Sequence, residues 1–93
     1  MRPALVIQND IGNSVEAYRL TIVLAMSSKL KGYPSMVLVQ PTQSNGLTAP
    51  SEINSGQILT VDKARLGRLI GRLAADDLRK VEDKVVYMLG VGG

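Results

Sequence analysis

Apolar residues in this chain come in short, β-branched runs separated by clusters of turn formers, and only the last part of the sequence changes to a helical period. That pattern selects a mainly β fold with a C-terminal helix. Ala4 to Ile7 follows Arg2-Pro3 and reads as a short buried strand, and Asn9-Asp10-Ile11-Gly12-Asn13-Ser14 supplies a run of turn residues after it. Leu20 to Met26 is almost continuously aliphatic, as a central strand requires. It is broken by the polar, basic stretch Ser27-Ser28-Lys29-Leu30-Lys31-Gly32-Tyr33-Pro34. Met36 to Val39 reads as a third strand, closed by Gln40-Pro41. The segment from there to Ser51, with Asn45-Gly46, reads as an irregular connection. Ile53 is expected to pair briefly, and Gln57 to Val61 to form a further strand. A helix is expected from near Asp76, with Leu78, Val81, Val85, Met88 and Leu89 on one stripe and Tyr87 packed on it. The leading aspartates suit the helix dipole, Gly90 marks the end, and Val91-Gly92-Gly93 should fray. Short strands before one terminal helix, without βα alternation, imply a small antiparallel barrel or sandwich with a capping helix.

At 93 residues the chain is one domain, 1–93, with no repeat and no linker. A chain of this size buries roughly 60 to 65% of its unfolded surface, so the core is thin and a second copy would help to stabilise it. Eleven Lys and Arg against eight Asp and Glu leave a net charge of +3, which permits RNA or DNA binding without requiring it. No apolar run is long enough to span a bilayer, and the expected location is the cytoplasm.

With no His and no Cys, the usual proton shuttle, thiolate nucleophile and zinc ligands are missing. The paired acids Asp76-Asp77 and Glu82-Asp83 sit in a charged helical pattern and read as a solvated face, so no metal or other cofactor is assigned. Lys63 to Arg72 holds four cations and no anion. It could track a phosphate backbone, or it could be a solvated face whose leucines point inward. Tyr18, Tyr33 and Tyr87 are too few for a multi-base stacking platform, although Tyr33, beside Lys29 and Lys31, could hold one nucleotide. Ser27-Ser28 belong to no hydrolase elbow and on pattern alone are loop residues. Gly92-Gly93 raises a ubiquitin-like tail, but the helix leaves no extended arm before it.

Four separate segments together resemble one family. Arg2-Pro3-Ala4-Leu5-Val6-Ile7-Gln8-Asn9-Asp10-Ile11-Gly12-Asn13 is similar to the second-strand motif of the MazF/PemK (Kid-like) toxin endoribonucleases. Ala25-Met26-Ser27-Ser28-Lys29-Leu30-Lys31-Gly32-Tyr33-Pro34 is similar to their next strand end and loop. Gln57-Ile58-Leu59-Thr60-Val61-Asp62-Lys63 resembles a further family segment, and Ile70-Gly71-Arg72-Leu73 with the helix to Leu89-Gly90 resembles the tail. The resemblance implies an SH3-like barrel of the CcdB/PemK-like toxin fold, acting as a homodimer. It implies the toxin of a type II toxin-antitoxin system: an mRNA interferase that cuts single-stranded RNA at short motifs without metal or cofactor. A cognate antitoxin would hold it in check and provide its only link to DNA, and no membrane would be involved.

Carried over residue by residue, the family's motif Arg falls on Arg2 and its Thr on Ser27, which keeps the hydroxyl. Arg can neutralise charge growing on a phosphate, and a hydroxyl can hydrogen-bond the same oxygens. Ser28, Lys29, Lys31 and Gln57 become the implied RNA contacts. The family normally begins with a further strand and a Gly-rich loop before the Arg-Pro motif, whereas this sequence starts at Met1-Arg2. The expectation is therefore an N-terminally short domain with an open strand edge. Many members also carry an acid just before the Gln and an Arg two residues after it, where this chain has Gly56 and Leu59. The alternative within the same family is a catalytically inactive member that binds antitoxin or pairs with an intact toxin.

Overall fold

The structure, a computed structural model, describes residues 3–7 and 19–90. Strands β1 (Ala4–Val6), β2 (Leu20–Ser27), β3 (Met36–Val39) and β4 (Ser51–Asp62) are followed by a 3-10 turn (Lys63–Arg65) and one helix, α1 (Ala75–Leu89). The strands form a single antiparallel sheet in the order β1-β2-β4-β3, curved into half a barrel. β2 is the most aliphatic segment and takes a central place, where both of its edges are paired and Val23, Leu24 and Met26 are buried. The mainly β fold with a terminal helix is as the sequence implies.

β4 departs from the expectation of a brief pairing at Ile53 and a separate strand from Gln57. It is one strand of 12 residues. Asn54-Ser55-Gly56 looks like a turn but lies within the strand, at a break in the ladder with β2. Ser51 to Asn54 pair with β3, while Glu52, Ile53 and Ile58 to Asp62 pair with β2. The β2 ladder shifts register between Leu24 and Met26, as a bulge requires, which bends the sheet. Two bonds to the carbonyl of Ser35, from the Ser55 amide (2.9 Å) and the Ser55 hydroxyl (2.6 Å), hold the bend in place.

Leu24, Met26, Val37, Val39, Ile53 and Val81 make the core, with Leu5, Ile7, Leu47, Leu73 and Val85 packed against it. Each such side chain contributes about 1.5–3 kcal/mol when fully buried. α1 packs on β3 and β4 through Val81, which is fully buried, with Leu78 and Val85 half-buried. The expected stripe stops there: Met88 and Leu89 are exposed. Tyr87 is also exposed rather than packed, its ring 5.8 Å from the Lys84 ammonium. Gly90 ends the helix in the left-handed conformation at φ 72°, with its amide bonded to the Tyr87 carbonyl.

The connection after β3 is ordered by one buried side chain. Asn45 accepts from the amides of Thr42 (2.9 Å) and Leu47 (3.0 Å) and donates to the Gln40 carbonyl (2.9 Å). Its neighbour Gly46 lies directly against Ile70-Gly71. A Cβ at Gly46 would run into the Ile70 carbonyl, and one at Gly71 into the backbone of Asn45. This backbone-on-backbone contact, with the Arg72 amide bonded to the Ser44 carbonyl at 2.8 Å, straps residues 66–74 to the sheet.

Candidate functional site

The polar break after β2 becomes a loop, residues 28–35, that returns over one face of the sheet. Its geometry starts from strand register. Ser27 pairs with Glu52 on β4, and Glu52 pairs with Leu38 on β3. Residues directly opposite in a ladder share a face, so Ser27 and Glu52 lie side by side, on the face away from the buried pair Met26 and Ile53.

Glu52 is only 5% exposed, and a carboxylate taken out of water needs hydrogen bonds. Its two oxygens accept from two consecutive loop amides, Lys31 at 2.7 Å and Gly32 at 2.8 Å. Ser27 joins the same arrangement. Its Oγ accepts from the Lys29 amide at 3.1 Å, which uses an acceptor position and leaves the hydroxyl proton free to be donated elsewhere. Ser28, Lys29 and Lys31 are exposed on this loop. The Lys31 ammonium stands 5.9 Å from the centroid of Tyr33, whose ring is half exposed. A hydroxyl donor, two cations and one open aromatic face can together receive a phosphodiester and one base.

Ser27, Ser28, Lys29 and Lys31 are thus brought together. Gln57 is separate, exposed on β4 where the ladder with β2 breaks. Its neighbour Gly56 closes against the loop's far end and the helix: a Cβ there would lie 3.6 Å from Ser35 Cβ and 3.3 Å from Met88 Cε. Arg2 lies outside the described residues. Among the described residues, no group of three or more acidic side chains could hold a metal ion, and no helix is long and apolar enough to cross a membrane.

The basic stretch Lys63 to Arg72 lies apart from this loop. Arg65, Arg68 and Arg72 are exposed on the strap, and Arg65 and Arg68 line an open cleft with Pro3, Ala4, Val6, Leu66, Leu69 and Ile70. Leu66, Leu69 and Ile70 are themselves exposed, so they do not form the inward face that a simple amphipathic reading expects.

Sequence reasoning passed over Glu52. A signal for it existed: it is the only charged residue between Lys31 and Asp62. Asn45 was passed over as well, since Asn-Gly reads as a surface turn and not as a hub.

The comparisons with known proteins agree with the fold. The sequence profile of the family described as PemK-like, MazF-like toxin of type II toxin-antitoxin system matches residues 1–89. The chain is 36% identical over 87 residues to Endoribonuclease MazF9 of Mycobacterium tuberculosis, which covers 88% of this chain and 72% of that protein. The fold is similar to a mycobacterial endoribonuclease solved in complex with its cognate antitoxin, at a TM-score of 0.82 and 22% identity over 99% of this chain and 84% of that one. It is similar also to a MazE-MazF structure from Deinococcus radiodurans, at a TM-score of 0.80 and 27% identity, covering 98% of this chain and 87% of that one. With a match that runs from the first strand to the end of the helix, this chain belongs to the PemK-like, MazF-like toxins of type II toxin-antitoxin systems.

Proposed function

We propose that this chain is an endoribonuclease, an mRNA interferase that cuts single-stranded RNA at a short sequence without a metal ion. The observation that carries the reading is the Ser27 hydroxyl, occupied on its acceptor side by the Lys29 amide, at the start of a loop that bears the exposed Lys29 and Lys31. In such a cut the ribose 2'-hydroxyl attacks the adjacent phosphorus, the bond to the 5'-oxygen breaks, and negative charge grows on the phosphate oxygens. Ser27 donates to one of those oxygens, and Arg2 neutralises their charge and relays a proton. Lys29 and Lys31 hold flanking phosphates with Ser28, and Gln57 offers both a donor and an acceptor to a base edge.

The whole protein acts as a homodimer in the cytoplasm, restrained by a cognate antitoxin through which alone it reaches DNA. Support for a second copy comes from the large apolar side chains left open to water, Leu69 and Leu89 among them. Support for the antitoxin comes from the relative solved with its own.

The experiment is incubation of the 93-residue protein with a long, partly unstructured RNA in EDTA, with Ser27→Ala alongside and the cut ends mapped. Cleavage at a recurring short motif, lost in the variant, is the expected result. Intact RNA, together with capture of a small acidic antitoxin, would replace this reading by that of an inactive family member.

A further inference from the structure

We infer that Glu52 is a positioning residue for RNA: its buried carboxylate fixes the consecutive amides of Lys31 and Gly32 and so sets where the loop presents Lys29, Lys31 and Tyr33. The inference rests on the endoribonuclease reading and deepens it. Closing a loop does not require a buried charge. At its far end the same loop is held by main chain alone as well as by a hydroxyl, since the Ser55 amide already bonds the Ser35 carbonyl. Burying a carboxylate costs several kcal/mol unless its oxygens are well bonded. What the carboxylate adds is geometry, because two oxygens meeting two adjacent N–H groups fix the direction of the peptide as well as its distance.

A glutamine in the same place has one acceptor oxygen and would turn an amide donor toward a backbone donor. Glu52 also lies across the ladder from Ser27, so one residue of β4 sets the loop's height above the hydroxyl that the Lys29 amide contacts. The charge of Glu52 faces the two amides and not the open surface, and it is almost fully covered. It therefore acts through the loop and does not touch the substrate. A loop held in advance does not pay its ordering entropy when RNA arrives, so the loss on releasing it falls on binding more than on the chemical step.

The test compares wild type, Glu52→Gln, Glu52→Asp and Ser55→Ala, each checked by circular dichroism to be folded at the assay temperature. The expected result for Glu52→Gln is a KM for RNA about tenfold higher with kcat within about threefold, and faster hydrogen exchange at the Lys31 and Gly32 amides. Glu52→Asp keeps both acceptors on a shorter stem, and its KM should fall between wild type and Glu52→Gln. Ser55→Ala should leave KM within about twofold, since the main-chain tether remains. An unchanged KM in folded Glu52→Gln overturns the inference, as does a loss confined to kcat or one that simply follows the folded fraction. A wild type that neither binds nor cuts RNA sinks the endoribonuclease reading, and the inference with it, which is a different result from an active wild type with an indifferent Glu52.

Discussion

Two stretches of this chain carry most of its exposed cations, and they are held in opposite ways. The loop 28–35 has two lysines and is pinned by β4 at its middle, through the Glu52 carboxylate, and at its far end, through Ser55. The stretch 63–72, the 3-10 turn and the strap after it, has four cations, yet it is fastened by bare backbone, Gly46 against Ile70 and Gly71, with Arg65, Arg68, Arg72, Leu66 and Leu69 turned to water. The difference teaches that charge density and site are separate properties. Four cations in ten residues advertise a nucleic-acid surface more loudly than two, but it is the sparser stretch that has side-chain tethers to β4 and begins beside the Ser27 hydroxyl.

The sharpest test of the contrast is Ser27→Ala, which removes the hydroxyl and leaves every cation in place. Cleavage of RNA should fall about a hundredfold or more in kcat, measured under single-turnover conditions. A drop of less than a few-fold would return the site to the strap. Next in size is Gly71→Val, which drives a side chain into the backbone of Asn45 and should cost about 2–4 kcal/mol of stability by urea denaturation. If that variant is as stable as wild type, the strap is not held as described.

Smaller effects separate the cations themselves. Lys31→Ala should weaken binding of a non-cleavable RNA about three- to tenfold and lower the slope of log K against log salt by about 0.7. Arg68→Ala should weaken binding less than about twofold in the same titration, because its guanidinium stands on the strap and not at the loop. Equal losses from the two substitutions would mean that RNA is read by net charge and that the distinction between the stretches has no functional content.

Much of the fold was legible because its signals are local. The aliphatic run at 20–26, the closure of β3 by Gln40-Pro41 and the helix ending at Gly90 all sit where propensity and turn chemistry put them. The site residues on the loop could be named from the motif that contains them. What could not be read was set by contacts distant in sequence. Asn54-Ser55-Gly56 carries the marks of a turn and is nonetheless strand: Asn54 pairs with Met36 on β3, and the Ser55 amide bonds the Ser35 carbonyl. Glu52 looks like a solvent-facing residue of an alternating strand until the loop folds over it. Asn45 and Gly46 look like surface punctuation until residues 70 and 71 arrive against them. Met88 and Leu89 fit a buried helical stripe, yet the sheet leaves them exposed.

The two tethers of the loop lie downstream of it, on β4, and this gives the site an order of assembly. As the chain leaves the ribosome, Ser27, Lys29 and Lys31 emerge well before Glu52 and Ser55, and β4 itself must find both β2 and β3 to be extended at all. A nascent chain that stops at Pro50 therefore contains the loop's hydroxyl and cations without the part that arranges them. The strand that completes the sheet is thus also the one that holds the loop, and both arrive late in the chain's synthesis.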